Sequence, residues 1–328
     1  MAPRLGICTI SMGWHASHTL EKKIEAAKDA GIKGFEVNMI DLFNYAERHS
    51  KTLTESARDV ADLCRLADIE VFAIGPFDHF EGHPTTPLSE RLNSRAKEWM
   101  AVCRELGCTV IQTPSTFTKG ADGDDAVIVG DLQALADLGA EQNPPISIAY
   151  EALAWGLHVA DWEESLRVVN LVSRPNFGLC IDTYHVLARV WADPRTPSGI
   201  RPGGASALRD TIDRFRKTCP KEKIIYIQLS DGEKMDPPIL PGHPAYKEED
   251  DATFSWCLYG RVFPLEAEEG AYFPLEEILR AWLLEAEFSG WVSMETFHRD
   301  MYKESFGPAV WAERGVKYWS RIHRLLQE

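Results

Sequence analysis

The chain has 328 residues, 45% hydrophobic and 26% charged, which is the composition of a globular protein with one large α/β domain or two ordinary ones. Its formal net charge of −15 has no compensating basic block, which argues against a general nucleic-acid or anionic-membrane surface. No uninterrupted apolar segment reaches the roughly 18 residues of a membrane span.

Seven cysteines, an odd number with no C-x-x-C pair, are scattered along the chain. Several, such as Cys8, Cys108 and Cys180, sit inside apolar runs, so reduced buried thiols are expected. The first residues, Met1-Ala2-Pro3-Arg4-Leu5-Gly6-Ile7, lack a signal-peptide core. The last, Leu325-Leu326-Gln327-Glu328, carry no recognised address, and a cytoplasmic location is expected.

In chain order, residues 5–10 form a short apolar run and a first strand. Residues 19–30 place Leu20, Ile24 and Ala27 on one helical stripe that Gly31 stops. Residues 34–38 predict a second strand, 53–66 a helix, and 69–74 a third strand closed by Gly75-Pro76. A long amphipathic helix over 88–106 leads to a fourth strand over 108–112. A helix over 124–141 then precedes strand five, 146–151. Residues 162–172 are helical and 177–182 form strand six. Helices over 184–191 and 205–217 flank a Pro/Gly-rich break, and strand seven covers 223–229. Residues 231–270 show little periodicity. A helix over 275–285, strand eight over 290–295 and a closing helix over 308–326 complete the pattern.

Strict strand–helix alternation argues for a parallel sheet. Eight repeats in roughly 300 residues match a closed (β/α)8 TIM barrel better than an open doubly wound sheet. Thr9-Ile10-Ser11-Met12-Gly13 is also not the Gly-rich phosphate loop an open sheet would usually show after strand one. A single TIM-barrel domain over 1–328 is expected. The loop over 231–270 is far longer than an ordinary connection and carries Phe254, Trp256, Leu258, Tyr259, Val262 and Phe263. It is expected to cover the C-terminal mouth.

Four strands end in oxygen donors. Ile146-Ser147-Ile148-Ala149-Tyr150-Glu151 runs into a carboxylate, as do Phe177-Gly178-Leu179-Cys180-Ile181-Asp182 and Trp291-Val292-Ser293-Met294-Glu295. Ile224-Ile225-Tyr226-Ile227-Gln228 ends in an amide. A buried carboxylate is costly unless paired, hydrogen-bonded or bound to a metal. Adjacent strand ends of a barrel lie about 4.8 Å apart, so Glu151, Asp182, Gln228 and Glu295 form an arc around a common point. Hard oxygen donors without thiolate favour Mg²⁺ or Mn²⁺ over Zn²⁺ or copper. The competing reading is that each acid merely bonds a helix N-terminus or an arginine.

His185 lies three residues beyond Asp182, where a group that titrates near neutrality could move protons, unless it is a capping or core histidine. Arg261, in the aromatic part of the long loop, could bind a substrate carboxylate bidentately or pair with Glu266, Glu268 and Glu269 nearby. Glu36 points to the mouth if Phe35 and Val37 pack outward, and Gln112 could reach a substrate hydroxyl. His15, His79, His83 and His298 lie on loops that could line the site, while His49 and His158 read as ordinary helix or loop residues.

On these residues the chain resembles the xylose-isomerase-like TIM-barrel superfamily. Within it, the chain looks most like the 3-dehydroshikimate dehydratases of fungal and bacterial quinate catabolism. The resemblance rests on Ser147-Ile148-Ala149-Tyr150-Glu151-Ala152-Leu153-Ala154-Trp155-Gly156, on Asn176-Phe177-Gly178-Leu179-Cys180-Ile181-Asp182-Thr183, on Tyr226-Ile227-Gln228-Leu229-Ser230-Asp231 and on Gly290-Trp291-Val292-Ser293-Met294-Glu295. It implies a metal-dependent lyase acting on a small cyclic hydroxy-keto acid. Glu151, Asp182, Gln228 and Glu295 would hold the metal, with His185 as acid/base and Arg261 as substrate anchor. Two stretches depart from the pattern: the Trp- and His-rich loop Ser11-Met12-Gly13-Trp14-His15-Ala16-Ser17-His18, and the acidic segment 235–251.

With His185 as base, the protonated ring would then help a β-hydroxyl leave. A ketose epimerase or isomerase, with Glu151 and Glu295 shuttling the proton, is the enzymatic alternative, as is a natural-product enzyme acting on another cyclic hydroxy-ketone. A non-catalytic metabolite-binding barrel is the remaining one. Neither nucleic acid nor membrane is an expected partner, and a homo-oligomer is compatible with the sequence.

Overall fold

The computed structural model describes residues 2–327, so the two ends of the expected 1–328 span, Met1 and Glu328, lie outside the described residues. Eight parallel strands close into a barrel: β1 (Arg4–Cys8), β2 (Gly34–Asn38), β3 (Glu70–Gly75), β4 (Val110–Pro114), β5 (Ser147–Glu151), β6 (Phe177–Asp182), β7 (Ile224–Leu229) and β8 (Trp291–Met294). The ring closes where Arg4, Leu5, Gly6 and Ile7 pair with Trp291, Val292, Ser293 and Met294. Because both faces of each strand are covered, the strands read as nearly continuous apolar runs. Phe72, Ala149, Cys180, Tyr226 and Trp291 form an apolar cluster inside the barrel. Phe35, Val37, Ile148, Ile181 and Val292 belong to the larger core shared with the helices. Glu36, between Phe35 and Val37, therefore faces inward.

The helices are α1 (Leu20–Ala30), α2 (Met39–His49), α3 (Leu53–Leu66), α4 (Leu88–Arg91), α5 (Lys97–Glu105), α6 (Asp125–Ala140), α7 (Trp162–Val172), α8 (Thr183–Val190), α9 (Gly204–Thr218), α10 (Ala252–Gly260), α11 (Leu275–Leu279) and α12 (Pro308–Gln327). Thr52 and Glu55 cap α3 reciprocally, which fixes its start where the pattern placed it. A π-type turn, Leu92–Ala96, separates α4 from α5 in place of one regular helix over 88–106, and another, Arg280–Glu285, extends α11. No helix of the described residues is long and apolar enough to cross a membrane.

Residues 231–270 hold more regular structure than their aperiodic sequence suggests. Short strands Asp231–Gly232, Arg261–Val262 and Phe297–His298 form an antiparallel sheet, with Arg261 paired to both Gly232 and Phe297. The Asp231 carboxylate gathers backbone N–H groups of Gly232, Leu265, Tyr272 and Phe273, tying the ends of the segment together. α10 lies between these points and buries Thr253, Ser255, Trp256 and Cys257, so it shows no one-sided apolar stripe.

Candidate active site

The C-terminal strand ends bring the predicted acids together. Glu151 closes β5, and its Oε2 accepts a 2.5 Å bond from Gln112 Nε2 on the adjacent β4. Asp182 closes β6 and caps α8, its Oδ1 accepting the Tyr184 N–H at 2.6 Å. Its Oδ2 bonds Arg261 Nη2, which also lies 2.9 Å from Glu295 Oε2. Arg261 Nε donates to Ser230 Oγ at 2.7 Å, and the guanidinium sits 5.1 Å from the Tyr184 ring and 5.2 Å from Phe297.

Arg261 therefore does not pair with the acids near it in sequence. Glu266 is bonded by Arg314, and Glu268 by Lys317 and Tyr318. The reason is geometric: the short sheet aims Arg261 inward, where it is 1% exposed.

His185, on the first turn of α8, is buried with its Nε2 3.7 Å from Glu151 Oε1 and 3.9 Å from Asp182 Oδ2. Its Nδ1 accepts the Ala154 N–H at 3.0 Å. An N–H pointing at Nδ1 requires a lone pair there, so the neutral ring carries its proton on Nε2. Gln228 donates through Nε2 to Glu36 Oε1 at 2.9 Å, and its Oε1 accepts from the Cys180 thiol at 3.2 Å. Tyr226 O–H adds a 2.7 Å bond to the same Glu36 oxygen. Gln112 and Glu36 thus hold other site residues, Glu151 and Gln228.

The remaining histidines stand outside this cluster. His15 and His18 pack together on the first loop, with ring centroids 5.5 Å apart. His79 shares a 2.7 Å bond with Thr118 Oγ1, and the N–H of Thr86 donates to His83 Nδ1. His298 Nε2 lies 3.6 Å from Glu233. His49 pairs with Glu21, and His158 meets the Ala121 carbonyl.

Four acids share one buried space with one guanidinium. Burial pushes Glu151 well above the usual carboxylate range, and the charges of Asp182 and Glu295 push it further. Burial raises Glu295 to about 8 against the pull of Arg261, and raises Asp182 and Glu36 as well. Burial opposes the charge on Arg261, but Asp182 and Glu295 outweigh it and keep the guanidinium protonated. Burial, reinforced by Arg261, drives His185 well below its ordinary value, so the ring is neutral.

Glu151 Oε1 and Glu36 Oε2 are buried without a hydrogen-bond partner. An orphaned carboxylate oxygen within a set of mutually repelling acids fits a divalent cation. Glu151, Asp182 and His185 offer ligand atoms within 4.8 Å of one another, and so do Cys8, Glu36 and Glu295. Cys8 is a member of the cluster that strand-end acids do not reveal; its only sequence signal is its place at the end of β1.

A closed (β/α)8 barrel with acids and an amide at its C-terminal strand ends defines a class of proteins whose chemistry sits at that mouth. Residues 24–322 match the Xylose isomerase-like TIM barrel family, and the chain belongs to it. A 3-dehydroshikimate dehydratase of Neurospora crassa is 36% identical over 339 residues, covering 98% of this chain and 94% of its own. A xylose isomerase-like TIM barrel/4-hydroxyphenylpyruvate dioxygenase fusion protein superposes on 99% of the chain with a TM-score of 0.77 and 24% identity, and the chain spans 43% of that protein. The IolI protein, solved with a zinc atom, superposes on 99% of the chain and 98% of its own with a TM-score of 0.69 and 20% identity. Both structures share the fold.

Proposed function

We propose that this chain is a divalent-cation-dependent 3-dehydroshikimate dehydratase, a single-domain cytoplasmic lyase that forms protocatechuate and water. The observation that carries this reading is the placement of a neutral His185, with its proton on Nε2, beside Glu151 and Asp182 in the same buried mouth as Glu295 and Arg261. The Neurospora relative, similar along 94% of its length, bears that activity in its name.

Glu151, Asp182, Gln228 and Glu295 would hold the cation, and their hard oxygens suit Mg²⁺ or Mn²⁺. When bound, it supplies positive charge that polarises the substrate ketone. The protein's own groups handle the protons. Because Ala154 N–H occupies Nδ1 and the ring is neutral, His185 is set to give a hydrogen bond from Nε2 to the departing β-hydroxyl, rather than to begin as the base or to surrender its one ring proton. The C–H proton next to the ketone goes first to a carboxylate, which returns it to the hydroxyl so that water leaves. Glu295 is placed for this: one oxygen rests on Arg261, and its side chain is 12% exposed while Asp182 is 0% exposed. Loss of water and tautomerisation leave an aromatic ring. Arg261 commits Nη2 to Asp182 and Glu295, whereas Nη1 meets only Cys257 Sγ at 3.8 Å and can anchor the substrate carboxylate. The segment bearing α10 covers the mouth, with Phe254 5.1 Å from Trp155, which in turn packs 4.8 Å from His185.

A carboxylate that accepts the C–H proton also suits a ketose epimerase. Incubation with 3-dehydroshikimate and Mg²⁺ separates the two readings. The expected result is a rising aromatic ultraviolet band and a product lighter by one water. Epimerisation of a ketose without loss of water, and no aromatic product, would favour the alternative.

A further inference from the structure

Three adjacent strands place a thiol and two acids at one level. Cys8 lies directly across from Glu36 in the β1–β2 register. On its other side Ile7 pairs with Met294, so Cys8 is level with Glu295. The sulfur of Cys8 and one oxygen each of Glu36 and Glu295 lie within 4.8 Å of one another. Tetrahedral ligands on a zinc-sized ion are separated by roughly 3.6 Å, so a small inward shift would close the set. Glu36 is 2% exposed, its Oε1 is taken by Tyr226 and Gln228, and its Oε2 is the buried oxygen without a partner. Cys8 is 1% exposed.

We propose that Cys8, Glu36 and Glu295 form a second cation site that takes thiophilic divalent ions such as Zn²⁺, Co²⁺ or Cd²⁺. One sulfur with carboxylate oxygens suits borderline and soft ions, unlike the all-oxygen arc of Glu151, Asp182, Gln228 and Glu295. Binding forms a metal–sulfur bond and releases the thiol proton to solvent. Charge favours the second ion. With one divalent cation and Arg261, the carboxylates of Glu36, Glu151, Asp182 and Glu295 still leave one negative charge. A second cation and the Cys8 thiolate bring the cluster to neutrality. Glu295 would serve both sites, so a soft ion bound here withdraws the proposed proton acceptor. That inhibitory consequence rests on the dehydratase reading; the binding itself does not.

The test titrates the chelated full-length protein with Co²⁺, following near-ultraviolet thiolate-to-cobalt absorption together with equilibrium dialysis. Wild type is expected to bind two equivalents and show the band. Cys8→Ser should bind one equivalent and lose the band. Cys180→Ser removes the competing thiol near Gln228 and should keep it. Glu36→Gln, which retains the sulfur, should need more Co²⁺ to develop the same absorption, and it decides the matter if Cys8→Ser does not fold. No band in wild type, a band that survives Cys8→Ser, or a Glu36→Gln titration that overlays wild type overturns the proposal. In the dehydratase assay, Cd²⁺ should inhibit wild type at a lower concentration than it inhibits Cys8→Ser, each relative to its own uninhibited rate. If the chain shows no dehydratase activity, the absorption and dialysis results still stand on their own.

Discussion

Replacing Arg261 with Met removes the cation paired with Asp182 and Glu295 while keeping most of the side chain's bulk. Breaking a buried ion pair costs about 3–5 kcal/mol, because charge is left uncompensated in a poorly hydrated space. A 328-residue chain has an unfolding entropy near 0.7 kcal/mol/K, so a loss of about 4 kcal/mol lowers Tm by about 6 °C. The loss should depend on pH. Around pH 8 Glu295, with its value raised to about 8, is about half deprotonated. Near pH 6 it is protonated and the missing guanidinium matters less. Saturating Mn²⁺ should also shrink the deficit by replacing the charge. Thermal unfolding by circular dichroism, in chelator at both pH values and then with Mn²⁺, measures each quantity. A change below about 1 °C at pH 8, or an equal change at both pH values, would refute this account of the acid cluster.

His185→Leu should lower kcat by about 10²–10³ while leaving Mn²⁺ affinity near wild type, measured by steady-state kinetics and calorimetry, because the ring hydrogen-bonds the leaving group and is not one of the proposed ligands. Gln112→Met frees Glu151 from its 2.5 Å partner and should weaken Mn²⁺ binding by about 10–100-fold in the same calorimetric titration. The metal-free protein should also have an unusual pH profile. Glu151 and Glu295 are raised in the fold, so the folded state holds protons that the unfolded chain releases. Their stabilising contribution is complete below about pH 4 and is lost as pH rises through the folded values, reaching about 8 for Glu295. Chelated protein should therefore melt at a lower temperature at pH 8 than at pH 6, and Mn²⁺ should raise Tm more at pH 8.

The barrel strands were legible because each is an apolar run between turn signals, and the bounds of β2 and β6 coincide with the pattern. α2 was not, although Met39, Leu42, Tyr45 and Ala46 are buried on one side; Ile40 and Phe43, both exposed, blur its stripe. α10 has apolar and polar residues buried together, so it has no helical period to find. Strand-end chemistry pointed to Glu151, Asp182 and Glu295. What those groups touch depends on contacts distant in sequence. The Arg261–Asp182 pair spans 79 positions and needs the short sheet, and the His185 tautomer depends on an N–H 31 positions away. Cys8 joins Glu36 and Glu295 only through strand register.

If this acid cluster, loaded with a divalent cation, turns 3-dehydroshikimate into an aromatic product, the activity must follow the ion. The direct measurement strips the protein with chelator, removes the chelator, and records aromatic absorbance from 3-dehydroshikimate before and after Mg²⁺ or Mn²⁺ is restored. No aromatic product is expected from the stripped protein, with recovery on addition of either ion and no recovery in Asp182→Asn. Full activity in the stripped protein, or no aromatic product with any divalent ion, would contradict that expectation.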